Sequence, residues 1–166
     1  MKNTDSKYTM QIIKQVINSW TAQNKAVIAF FDKYDENTYL KEVAAGRNRA
    51  VYLFGHLIAT NDGMLPLFGL GEKLFPQLES IFITAPDKST TDLPSLIELK
   101  KYWETLNATL TNHFDKMSAE VWLSRHNNVS KEDFSLDPLR NKLNVLVGRT
   151  IHQSYHLGQL NLLTAG

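Results

Sequence analysis

The chain contains no cysteine, which excludes disulfides, Cys-zinc sites and a protein thiol nucleophile. It also lacks a charge excess. Eighteen Lys plus Arg face seventeen Asp plus Glu, a formal net charge of +1. Such a balance gives no field for steering toward nucleic acid or anionic lipid, and the basic residues are scattered. Long hydrophobic runs are missing too. The longest purely apolar stretch, Ala26 to Phe31, is far too short to span a bilayer. Met1 to Lys7 has no apolar signal-peptide core, so the expectation is a cytoplasmic protein with neither membrane nor nucleic-acid partners. Without a secretory route, the sequons at Asn107 and Asn128 carry no meaning.

What is present reads as one domain over residues 1–166, with 43% hydrophobic residues to build its core. Four segments carry helical periodicity. The first spans about Thr9 to Tyr34, with an apolar stripe of Ile13, Val16, Ile17, Trp20, Val27, Ile28 and Phe31 and a polar gap at Gln23 and Asn24. The second spans about Arg47 to Phe68, with Gly69 and Gly71 as stop signals. The third spans about Leu93 to Met117, with Asp92 or Ser95 as cap; Ser95 and Glu98 fit a capping box. The fourth spans about Pro138 to Leu163, with Asp137 as cap and Pro138 in the first turn. No strand pattern is convincing, and Ser118 to Leu123 reads as a short helical turn. The connection from Gly69 to Thr91 is longer than the two to eight residues or so usual in bundles, as a crossover requires. The predicted fold is all-α: a four-helix bundle, up-down-down-up, with the long crossover between its second and third helices.

Of five histidines, His152 and His156 are four residues apart. On a helix their rings lie about 40° apart on one face, one turn up, and could grip one divalent metal. A hydrogen-bonded or solvated pair is the bland alternative. His56 lies about nine residues after the start of segment two, and the midpoint of the pair about nine before the end of segment four. If those helices run antiparallel, both sites sit about 13 Å below one rim. The polar gap at Gln23 and Asn24 falls in the same layer. Gly63 and Gly148 lie on the faces of His56 and His152 and could leave room for a cavity, or simply allow close helix packing. Thr60 and Gln159, one turn beyond His56 and His156, could hold an imidazole N–H or be ordinary edge residues.

Three imidazoles leave open positions on zinc, nickel or a similar ion, the mark of a catalytic rather than a structural site. Other metal motifs fail. No Glu-x-x-His occurs, which disfavours a di-iron bundle, and Gln153 stands where a metalloprotease would carry its Glu. Gly69-Leu70-Gly71 lacks the third glycine of a dinucleotide loop. His113 and His126 are left outside the site.

Phe54-Gly55-His56-Leu57 on a second helix, followed by His152-x-x-x-His156-Leu157-Gly158-Gln159-Leu160, resembles the DinB-like metalloprotein superfamily over nearly the whole chain. The resemblance implies a bundle that binds nickel or zinc through His56, His152 and His156. It also implies, for some members, transfer of a low-molecular-weight thiol onto a small-molecule electrophile, and frequent homodimers. Many relatives carry Arg after the last histidine where this chain has Leu157, which removes an anion contact.

Three functions follow as expectations: a metal-dependent thiol transferase, a metal-dependent hydrolase, and a non-catalytic stress-response or binding bundle. The hydrolase reading lacks a carboxylate base on the matching faces. In none of them is a catalytic residue assigned; the histidines are ligands.

Overall fold

A computed structural model describes residues 2–163, and the side chains from residue 7 onward. The described residues are all-helical, with no strand and only two isolated bridges, Glu42 to Arg49 and Arg125 to Asn141. The elements are α1 (Lys2–Phe31), α2 (Glu36–Tyr39), α3 (Ala50–Asp62), α4 (Met64–Phe68), a π-helical turn (Ser80–Thr84), α5 (Leu96–Phe114), α6 (Ala119–Trp122), α7 (Lys131–Leu136) and α8 (Lys142–Leu160). None is long and apolar enough to cross a membrane.

The long helices form where apolar residues recur every three to four positions. On α5 the stripe Leu96, Leu99, Trp103, Leu106, Leu110 and Phe114 is buried throughout. Ser95 caps it in a complete capping box with Glu98. On α1, Ile13, Trp20, Val27 and Phe31 are buried, while Val16, Ile17 and Ile28 are half-buried against the core. The polar gap at Asn24 does not break the helix. Asn24 is itself buried, and its Oδ1 accepts from Gln153 Nε2 of α8 at 2.5 Å.

α3 is buried almost all round, as its run of apolar residues requires. Only His56 and Thr60 of its thirteen residues are not buried, one turn apart on one face. It packs on α5 and α8, and α1 packs on α8 and α5.

Expected boundaries move: the first helix is Lys2–Phe31 rather than Thr9 to Tyr34, and the third Leu96–Phe114 rather than Leu93 to Met117. The second segment is not one helix to Phe68: it ends at Asp62 and restarts as α4. Pro66 has no N–H to donate to the Asp62 carbonyl, so the ladder fails there. The freed turn is used, because the Asp62 carboxylate accepts the Leu74 and Phe75 N–H groups at 2.9 and 2.8 Å. Gly69, in the left-handed region at φ 71°, then ends α4 as anticipated. The fourth segment starts later than Pro138. Asn141, not Asp137, is the cap, accepting the Asn144 N–H at 2.9 Å. Asn141 pairs with Arg125 as an isolated bridge, which holds residues 138–140 in a turn.

The long connection is strapped along α3. Arg49 at its N-cap donates from Nε and Nη2 to Asp87 Oδ1 and from its backbone N–H to Oδ2, Tyr52 Oη donates to the Ala85 carbonyl at 2.7 Å, and His56 Nδ1 meets the Phe82 carbonyl. Positions 49, 52 and 56 follow helical spacing, so one face of α3 carries all three attachments.

Candidate metal centre

His56 stands on α3; His152 and His156 stand one turn apart on α8. His56 Nε2 lies 3.2 Å from His152 Nε2, and His156 Nε2 lies 2.9 Å from it. One nitrogen from each ring lies within 4.8 Å of the others, so the cluster could hold a metal ion. Two nitrogens each about 2.0–2.1 Å from one ion, at angles near 90–110°, would be about 2.8–3.4 Å apart. The observed spacing is close to that of a shared coordination sphere.

The outer nitrogens decide what the inner ones can do. His56 Nδ1 faces the Phe82 carbonyl at 2.8 Å, and His156 Nδ1 faces Gln159 Oε1 at 2.7 Å. Both partners only accept, so both Nδ1 atoms carry hydrogen. In neutral rings, both Nε2 atoms are then lone-pair acceptors. His152 Nε2 lies between them and has at most one hydrogen to give. One lone pair stays without a donor, unless a cation takes all three.

Adding protons instead is disfavoured. Burial, then the neighbouring His156, His56 and Arg149, push the His152 imidazole down to about 4. Burial likewise lowers His156, partly offset by the Gln159 hydrogen bond. Both rings are therefore neutral at pH 7, the form in which histidine ligates metal.

Supporting residues hold two of the rings, His56 and His156, while His152 Nδ1 has no hydrogen-bond partner among the described residues. Gln159 Nε2 donates to Tyr155 Oη at 3.2 Å, which leaves its oxygen turned to His156. Phe82 is fully buried in the π-helical turn, its ring against Tyr52. A Cβ at Gly55 would overlap that ring. Glycine before His56 thus lets Phe82 seat, and its carbonyl reach the imidazole. Asn24 does not reach the histidines: it engages Gln153, whose side chain is buried between α1 and α8 while His152 is half-buried. Gly148 is exposed, and a Cβ there would meet nothing, so it makes no room for an ion.

Beside His56 and His152 opens a cavity of about 360 Å³, also lined by Thr60, Lys73, Glu79 and Arg149. Thr60 Oγ1 is buried there and has no hydrogen-bond partner among the described residues, and it touches neither imidazole nitrogen. Lys73 and Glu79 pair with each other. His113 and His126 are not among the clustered residues. Sequence reasoning missed Phe82, Tyr155 and Arg149. Arg149 was within reach, because it precedes His152 by three positions and so shares its face.

Neither the known protein families nor the curated proteins give a match to this chain.

Proposed function

We propose that the protein binds one divalent cation, nickel or zinc, on His56, His152 and His156, and uses it to transfer a small cellular thiol onto an electrophile. One observation carries the reading. Three imidazoles from two distant stretches of chain gather their Nε2 atoms around that of His152, with the Nδ1 atoms of His56 and His156 committed to acceptors. The motif likeness to DinB-like metalloproteins supports the same ligand set.

Contact order along the helices supports the expected up-down-down-up bundle. Asp32 of α1 meets Lys100 of α5 and Trp20 meets Phe114, so α1 and α5 oppose. Phe54 meets Trp103 and Phe68 meets Phe114, so the second and third segments run together.

Three protein ligands leave vacant positions. Held by His56, His152 and His156, such an ion would supply the acidity for a thiol to lose its proton to solvent and displace the electrophile's leaving group, forming a carbon–sulfur bond. The chain's part is to hold neutral ligands in register and to confine the reactants in the cavity beside Thr60 and Arg149. Hydrolysis is less well served, because Glu79, the carboxylate lining that cavity, is tied to Lys73.

Elemental analysis of untagged protein tests the reading. About one nickel or zinc per chain is expected, falling below a tenth in the His152→Ala, His156→Ala double variant. Loaded protein should conjugate thiols in a panel with electrophiles, and lose this on chelation. A metal-free protein whose His56→Ala variant is equally stable would point to a non-catalytic bundle; turnover without thiol would point to hydrolysis.

A further inference from the structure

Arg149 lies three residues before His152 on α8 and lines the same cavity as His56 and His152. Its Nε is enclosed and has no hydrogen-bond partner, and its guanidinium makes no ion pair among the described residues. Among the described residues, the only carboxylate lining the cavity, Glu79, is taken by Lys73. A guanidinium offers five donors in a planar fork that fits a carboxylate with two parallel hydrogen bonds. A half-buried, unpaired fork is costly to keep unless something supplies an acceptor.

We infer that Arg149 anchors a carboxylate of the small molecule that enters this cavity, holding it with its reacting end toward the three histidines. This rests on the proposed reading of the site and names the substrate class it takes: carboxylate-bearing molecules. A carboxylate suits the cavity better than a phosphate. One free fork supplies the two hydrogen bonds that a carboxylate needs, whereas a phosphate dianion presents more acceptors and charge than Arg149 alone can meet, the other cation of the lining, Lys73, being engaged with Glu79. Leu157, which follows the last histidine, offers no donor, so the anion-recognising group comes from the other end of the histidine pair.

The probes are acetate, its neutral isostere acetamide, and inorganic phosphate. Each is titrated into full-length protein, both zinc-loaded and metal-free, while NMR follows the Arg149 Nε–H resonance. Acetate should shift that resonance to saturation in both forms, and acetamide should not. The Arg149→Met variant should bind acetate at least tenfold more weakly while its zinc content stays unchanged; Arg149→Lys should recover part of the loss. An Arg149 resonance indifferent to acetate, or equal acetate affinity in wild type and Arg149→Met, overturns the anchor. Phosphate binding more tightly than acetate overturns the carboxylate assignment. Because the metal-free arm needs no ion, acetate binding without zinc uptake would show the metal reading failing while the anchor stands.

Discussion

Gln159 sits between Tyr155 and His156, giving an N–H to one and taking an N–H from the other. Partners of this kind fix a ligand's tautomer and orientation, and losing one typically weakens metal binding about 10–100-fold. Gln159→Leu should therefore lower zinc affinity by about that factor, read by competition with a chromogenic chelator, while leaving helicity unchanged. His152 adds a pH signature to the metal-free protein. Its unfolded imidazole takes a proton near pH 6.5, whereas the folded ring resists protonation down to about 4. Between those values the unfolded state binds more protons, so stability falls as pH drops. Urea midpoints of chelated protein should decline from pH 6.5 toward 4, and His152→Gln should flatten the decline. The histidine trio is legible in the sequence, from a four-residue spacing and a level estimate along helices. Its outer partner on His56 is not, because a backbone carbonyl has no sequence signature; only folding of the long connection brings Phe82 there.

At the scale of elements, two helical glycines make opposite predictions. Gly55 is buried, and a Cβ would overlap the Phe82 ring. Overpacking of this kind costs about 1–3 kcal/mol. Gly55→Ala should thus destabilise by that amount and also weaken metal binding, since Phe82 carries the acceptor for His56. Gly148 is exposed on α8 with open space around its Cα, so Gly148→Ala should be neutral or stabilise by up to about 1 kcal/mol. Chemical denaturation of both variants beside wild type decides between them. The same contrast marks what a sequence can tell. Periodicity places α5 to within three residues at each end, and the capping box makes Ser95 one of its two candidate caps, the one the helix uses. The break at Asp62 depended on how Pro66 and a buried carboxylate act together, and the start of α8 on a bridge between Asn141 and Arg125. In the sequence the strap of residues 80–87 along α3 is legible only as a length of chain, since its attachments join residues about thirty positions apart.

Across the whole molecule, α8 is held by two polar clasps on different sides. Asn24 of α1 meets Gln153 inside the core, and His56 of α3 meets His152 and His156 beside the cavity. The sequence showed both sets of polar residues at one height but not that they face apart. That depends on Gln153 and His152 pointing about 100° away from each other around the helix. The first clasp is structural. Asn24→Ala leaves a buried Gln153 amide without its acceptor, which costs about 1–3 kcal/mol. The second joins α3 to α8 only through what sits between the rings, so an ion there stabilises the folded chain alone. At free zinc one hundred times its dissociation constant, that linkage is worth about 2.7 kcal/mol. For a chain of this size the melting temperature should rise by roughly 5–10 °C. Asn24→Ala should melt lower than wild type yet keep the full zinc-induced rise, whereas His56→Ala should lose the rise. Calorimetric scans of the three proteins, with and without chelator, measure both effects. If Asn24→Ala abolished the zinc response, the two clasps would form one network, and the separation drawn from their geometry would fail.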